Sequence, residues 1–274
     1  MLIAHLSDPH IGLDPATLAG RVDPPAALRR ALAHVRGLRP AVDVLLLTGD
    51  LVDAASEQDY QTVAALLRQE LPAPANGGPR VLAVPGNHDQ RALALRLLAA
   101  AMPTAADAPA GLICLHVEHG GLHFIGLDTV TPGAAHGQLE GEQLDWLERT
   151  LRACAGQPAL LFMHHPPLVT GLAAMDACGL LYGGDELGRL VAAHGGVQLI
   201  ACGHMHRPVM GQLGGAPVVA APSTSHQIEL DLRPGGPLRC RLEPPMIGLY
   251  RWTPQDGIAC HFSHIEPFGA PLAL

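Results

Sequence analysis

Short aliphatic runs alternate with amphipathic helical patterns through the first hundred residues, and that alternation leaves few folds open. Leu2 to Leu6 and Val42 to Thr48 read as strands buried on both faces, each ending in small or charged residues. Pro25 to Leu38 carries Leu28, Leu32 and Val35 at helical spacing, and Glu57 to Leu71 repeats the pattern with Val63, Leu66, Leu67 and Leu71. A third strand, Arg80 to Val84, leads through Pro85-Gly86 to a helix predicted over Gln90 to Met102. Such βαβα order builds a parallel sheet with helices on its faces.

The second half changes character. Leu112 to Val117 and Leu122 to Leu127 flank His119-Gly120-Gly121 as a hairpin, and Gln138 to Leu151 follows as a helix. Strands at Ala159 to Met163 and Val197 to Cys202 bracket a loop, Val169 to Gly184, and a helix, Asp185 to His194. Five further runs have hairpin spacing: Val209 to Leu213, Pro217 to Ala221, Gln227 to Leu232, Ile247 to Trp252 and Ile258 to Ser263. The expected fold class is α/β, a four-layer αββα sandwich of two mixed β-sheets flanked by helices. At 274 residues and 48% hydrophobic content one domain suffices, with a core over 1–232 and a strand-rich segment over 233–274. Pro234 to Pro245, rich in Pro and Gly, is expected as a mobile surface segment, and the strand-rich C-terminal segment, with hairpins such as that at Ile247 to Trp252, as a candidate homodimer surface.

Charge excludes several functions. All 17 cationic residues are Arg, against 25 acidic ones, so the net charge is −8 and no basic footprint for a nucleic acid duplex exists. Without lysine, Schiff-base chemistry and a P-loop are excluded. The six cysteines, Cys114, Cys154, Cys178, Cys202, Cys240 and Cys260, form no C-x-x-C pair and read as reduced, mostly core thiols. The first residues lack a signal peptide's basic region, and no run approaches the roughly 18 apolar residues of a membrane span, so a cytoplasmic location is expected.

Histidine is over-represented, at 16, and gathers with acids at strand ends. Asp8-Pro9-His10 ends the first strand, Gly49-Asp50 the second, and Gly86-Asn87-His88-Asp89 the third. His164-His165 and Gly203-His204-Met205-His206 end two others. The carboxyl edge of a parallel sheet is where ligand sites form. If these ends stay extended, Asp8 with His10, and His204 with His206, point to one side and can approach one cation. Asp8, His10, Asp50, Asn87, His164, His204 and His206 are seven donors, filling two four-ligand shells if Asp50 bridges. Mixed O/N ligands suit Fe, Mn, Zn or Co over Ca or Mg. An isolated Asp after a strand is as often a turn or cap residue, but five strand ends acquiring ligand types together is not a turn pattern.

In order, these motifs resemble the calcineurin-like metallophosphoesterases over residues 8 to 206. Ser7-Asp8-Pro9-His10, Phe162 to Pro167 and Pro222 to Gln227 are most similar to the bacterial class III cyclic-nucleotide phosphodiesterases and glycerophosphodiesterases. The resemblance implies one divalent ion on Asp8, His10, Asp50 and His206, and a second on Asp50, Asn87, His164 and His204. It places His88 beside the metals as an acid, and Asn87, His88 and His226 near substrate. Ligation by His164 rather than His165 rests partly on it; extended backbone turns His165 to the opposite face. His226 is as well read as a solvent-exposed loop residue, and His136 and Cys202 are better read as a turn residue and a buried thiol. Asp128-Thr129 reads as organising surrounding hydrogen bonds. Arg21 and Arg207 suit phosphate contacts. His5, His34, His116, His119, His123, His194, His261 and His264 receive no role.

Two cations neutralise a phosphodiester's nonbridging oxygens and acidify a bound water towards about 7, providing hydroxide for in-line attack. His88 then supplies the leaving oxygen's proton, oriented by Asp50 or Asp8. The expected function is therefore a dinuclear metal-dependent phosphodiesterase hydrolysing a 3′,5′-cyclic nucleotide or a glycerophosphodiester. The alternatives are a phosphomonoesterase of the same superfamily and a noncatalytic metal-binding scaffold.

Overall fold

A computed structural model of the chain describes residues 1–266, 268, 269 and 272. Its first half runs β1 (Leu2–Leu6), α1 (Pro24–Gly37), β2 (Val44–Thr48), α2 (Glu57–Glu70), β3 (Arg80–Val84), α3 (Arg91–Leu98), β4 (Leu115–His119) and β5 (Leu122–Gly126). The chain continues through β6 (Gly137–Gln138), α4 (Gly141–Ala153), β7 (Ala159–Phe162), α5 (Ala173–Asp176), β8 (Leu180–Tyr182), α6 (Gly184–His194) and β9 (Val197–Cys202). It closes with β10 (Val209–Leu213), β11 (Ala216–Ala220), β12 (Gln227–Ile228), β13 (Cys240–Arg241), β14 (Met246–Thr253) and β15 (Gly257–His264).

The first sheet has the order β15-β14-β1-β2-β3, with β1, β2 and β3 parallel and the two C-terminal strands antiparallel. The second has the order β10-β11-β9-β7-β5-β4, parallel except for its two edges. Period-two alternation explains why β2 is apolar throughout. Val44 and Leu46 pack between the sheets against residues such as Phe124, Leu160 and Phe162, while Leu45 and Leu47 pack with Leu28, Leu32 and Val63 of the helices. On the far side Leu161 and Ile200 pack with Trp146, Leu147 and Val191. Four layers, αββα, result. Each fully buried Leu of this kind contributes about 1.5–3 kcal/mol, which holds the strand ends in place for the site they carry.

Element boundaries depart from expectation for local reasons. Helix α3 stops at Leu98, not Met102, because the chain turns back so that the Ala101 carbonyl accepts from Ala83 N–H at 2.7 Å on the edge of β3. Strand β4 begins at Leu115 instead of Leu112, since Asp128 Oδ2 takes the Ile113 N–H at 3.0 Å. The 169–184 loop contains α5 and β8, and β8 pairs with β6. Gln227 to Leu232 keeps only the two residues of β12, and the Pro234 to Pro245 segment returns as β13 alongside it, with Arg239 and Arg241 both on Glu229. Strand β14 lies inside the first sheet with Tyr250 and Trp252 buried, and β15 of the same C-terminal hairpin forms the edge of that sheet. The last positions of 233–274 (267, 270, 271, 273 and 274) lie outside the described residues. Among the described residues no helix is long and apolar enough to cross a membrane.

Candidate metal centre

The strand ends do not stay extended. Asp8, His10, Asp50, His204 and His206 all lie in the left-handed region, at φ of 52°, 48°, 46°, 66° and 51°. The expected pairing of Asp8 with His10 and of His204 with His206 through an extended i, i+2 backbone is therefore incorrect. Each strand instead ends in tight turns that aim these side chains inward, a backbone that Asp and His tolerate better than most residues. Asp8 N–H bonds the Gly49 carbonyl at 3.1 Å and His10 N–H the Asp50 carbonyl at 3.0 Å, locking two of the turns together.

Glycine at 86 and 203 allows the approach. A Cβ at Gly86 would collide with the Asp50 backbone nitrogen and carboxylate, and one at Gly203 with Ser7 Oγ and the Thr48 carbonyl.

Asp8, His10, Asp50 and His206, all buried, bring one ligand atom each within 4.8 Å of one another. His10 Nδ1 donates to Asp53 Oδ1 at 2.9 Å and His206 Nδ1 to the His226 carbonyl at 2.9 Å, so both turn Nε2 inward, 3.1 Å apart. Asp8 accepts the His204 N–H at 3.1 Å and presents Oδ1 3.5 Å from His206 Nε2. Beside this set, His164 Nδ1 donates to the Thr48 carbonyl at 2.7 Å, and its Nε2 lies 3.0 Å from Asn87 Oδ1 and 3.2 Å from His204 Nδ1. Asp50 Oδ2 joins the two sets, 3.5 Å from His10 Nε2 and 3.4 Å from His164 Nε2, while its Oδ1 accepts from His88 N–H at 2.9 Å. Among the described residues His204 Nε2 is buried without a hydrogen-bond partner.

The pocket demands positive charge. Burial lowers the pKa of His164, but the Asp50 and Asp8 carboxylates outweigh it and raise it to about 9. His10 is raised likewise, burial being outweighed by Asp53, Asp50 and Asp8. Burial pushes Asp50 upward, yet the His164 and His10 imidazoles hold it well below the usual carboxylate range. Burial raises Asp8 to about 6, and burial aided by His164 lowers His204 to about 3. Inward-facing carboxylates, imidazole nitrogens and an amide oxygen are a donor set that fits divalent cations.

Other predicted residues fall into place around this centre. His88 is partly exposed and edge-on to His10 at a centroid distance of 4.8 Å. Its Nδ1 lies 2.9 Å from the Asp53 carbonyl and 3.6 Å from the Asp53 carboxylate, so its acidic partner is Asp53, not Asp50 or Asp8. Sequence reasoning missed Asp53, whose only signal is its place three residues beyond Asp50. His226 is buried, not solvent-exposed, with its ring 4.6 Å from that of His206 and Nδ1 2.9 Å from Ser225 Oγ. His165 does not point away from the centre. Its ring packs 4.7 Å from that of His164 and 4.6 Å from that of His204, with both nitrogens held by Thr129 Oγ1 and the Ala135 carbonyl. Asp128 is buried in a two-point ion pair with Arg91, and Arg207 is engaged by Glu243 at 2.9 Å. His136 stacks edge-on to Tyr182 at 5.9 Å. Cys202 is a buried thiol whose pKa burial pushes up. Also unforeseen is a buried chain in which Tyr250 Oη meets His5 Nδ1 at 2.7 Å and His5 Nε2 meets Thr48 Oγ1 at 2.7 Å. Thr48 is the residue whose carbonyl orients His164.

Comparison with known proteins agrees with this architecture. The calcineurin-like phosphoesterase family model matches residues 1–208, and the chain belongs to that family. It is 31% identical over 271 residues to a probable glycerophosphodiester phosphodiesterase GpdQ of Arcobacter nitrofigilis, covering 99% of this chain and 96% of the relative. A probable cyclic nucleotide phosphodiesterase of Synechococcus is 33% identical over 267 residues, covering 95% of both chains. Among solved structures, a dimetal phosphatase from Danio rerio shares the fold at a TM-score of 0.70 and 15% identity, covering 97% of this chain and 96% of that one.

Proposed function

We propose that this chain is a dinuclear metal-dependent phosphodiesterase acting on small phosphodiesters, a 3′,5′-cyclic nucleotide or a glycerophosphodiester. The observation that carries the reading is the pair of buried donor sets that share Asp50 Oδ2. One cation is held by Asp8, His10, Asp50 and His206, and the other by Asp50, Asn87, His164 and His204. Iron, manganese, zinc and cobalt all suit this mixed set. Bound there, two divalent ions supply Lewis acidity, which neutralises phosphate oxygens and acidifies a water at neutral pH.

The chain's own residues do the rest. Asp53 steadies His10 through Nδ1 and holds the His88 ring against it. From that half-open position His88 delivers a proton from Nε2 to the leaving alkoxide oxygen. His226, beside His10 and His206, contacts the substrate. The full set of donors argues against a noncatalytic scaffold.

Hydrolysis of bis(p-nitrophenyl) phosphate, 3′,5′-cyclic AMP and glycerophosphoethanolamine by the chelator-treated chain, titrated with Mn, Zn, Co or Fe(II), tests the proposal. Diester turnover saturating near two metals per chain is expected. A preference above tenfold for p-nitrophenyl phosphate would move the reading to a phosphomonoesterase, and metal binding with no turnover to a scaffold.

A further inference from the structure

At the opposite, amino edge of the second sheet lies another convergence of metal-binding side chains. His123 pairs in register with Ala159, the first residue of β7, whereas the centre described above follows the last residues of the parallel strands. His116 on β4 and His123 on β5 are diagonal neighbours on one face of the hairpin. The C-terminus of α4 brings Cys154 to the same point, and one ligand atom from each of the three residues lies within 4.8 Å of the others. Gln157 Oε1 accepts from His123 Nε2 at 2.8 Å, which leaves His123 Nδ1 bare and facing His116 Nε2 at 2.9 Å. His194 closes the far side by donating to the Cys154 carbonyl at 3.2 Å and is not part of the donor set. His123 and Cys154 are buried, while His116 is half-buried and gives the point an outlet.

We propose that His116, His123 and Cys154 form a second, separate metal site that takes a borderline-soft divalent ion of the zinc class. A thiolate with two imidazoles selects Zn(II), Co(II) or Ni(II) over Mg(II) or Ca(II), and leaves a fourth tetrahedral position to water. As the sulfur–metal bond forms, the Cys154 thiol gives its proton to solvent. The ion would tie the edge hairpin to the end of α4, apart from the hydrolytic centre.

Cobalt spectroscopy separates the two sites, because the hydrolytic centre offers no sulfur. Co(II) titrated into the chelator-treated full chain, past the two equivalents that the hydrolytic centre takes, is expected to produce a near-ultraviolet thiolate-to-cobalt charge-transfer band whose final amplitude corresponds to one thiolate-bound ion per chain. The band is expected to persist in Asp50→Asn and to vanish in Cys154→Ser, which keeps wild-type hydrolysis of bis(p-nitrophenyl) phosphate as proof of folding. Should Cys154→Ser fail to fold, His116→Ala, at the more open position, is expected to weaken cobalt binding at least tenfold. Absence of the band in the wild-type chain, its survival in Cys154→Ser, or unchanged affinity in His116→Ala would overturn the proposal and leave a hydrogen-bonded histidine pair.

Discussion

His10 Nε2 and His206 Nε2 face each other across 3.1 Å, each held there because its Nδ1 is already committed, one to Asp53 and the other to the His226 carbonyl. Two imidazoles fixed this way compete for one positive charge, and the raised pKa values of His10 and His164 mark where protons answer that demand. Divalent ions compete for the same places, so binding expels protons. Calorimetric titration of the chelator-treated chain with Mn(II) at pH 7, in two buffers of different ionisation enthalpy, is expected to register net proton release, to which His164 contributes about one proton per chain. No dependence on buffer would mean that both imidazoles are already neutral.

Asp53 touches both His10 and His88 without belonging to either proposed ligand set. Asp53→Asn is expected to cost about 10–100-fold in metal affinity or activity, the usual effect of losing a ligand's orienting partner. Metal content and kcat/KM, with the circular dichroism spectrum as a control, measure it. A loss under threefold in both would remove Asp53 from the machinery.

If His88 protonates the leaving oxygen, its removal matters in proportion to how badly that oxygen needs a proton. His88→Ala is expected to retain metal and lose about 10²–10⁴-fold on glycerophosphoethanolamine, whose alkoxide is a poor leaving group. It is expected to lose far less on bis(p-nitrophenyl) phosphate, whose phenolate leaves unaided. Equal losses on both substrates would assign His88 to binding.

Burial holds His5 neutral, with its pKa lowered from 6.5 to about 3. Well above pH 6.5 the group is neutral folded or unfolded and adds no pH dependence to stability. Below it the unfolded chain takes a proton that the folded chain refuses, so stability is lost as pH falls from 6.5 towards 3. His5→Gln is expected to flatten the slope of unfolding free energy between pH 6 and 4.5 by up to about 1.4 kcal/mol per pH unit. Urea titrations at the two pH values decide it, and an unchanged slope would show that His5 is charged in the fold.

Residues acting within their own strand end were legible in the sequence, and residues acting across the fold were not. Asp8, Asp50, His164 and His204 announced themselves by type and by position after apolar runs. Asp53 did not, because its partners come from two other turns. Tyr250 stands 245 positions from His5 and finds it only because β14 joins the first sheet beside β1. The four layers follow from alternating periodicity, but β4 and α3 differ from expectation by three or four residues at one end because single hydrogen bonds, from Ile113 N–H to Asp128 and from Ala83 N–H to the Ala101 carbonyl, redirect the backbone. The left-handed φ of the site residues was hidden for a related reason: extended geometry is the default after a strand, and only the packed turns override it.

Those left-handed turns bear on how the centre treats its metals. Non-glycine residues in this region cost of order 1–3 kcal/mol each and persist only where their surroundings dictate them. Here the sheets and the bonds between neighbouring turns hold them, Asp8 N–H on the Gly49 carbonyl and His10 N–H on the Asp50 carbonyl. The protein therefore imposes its shape on an arriving cation, as a mould does on a casting. A donor set fixed in advance is expected to rank divalent metals by how well their size and preferred geometry match it, and by their affinity for nitrogen beside oxygen.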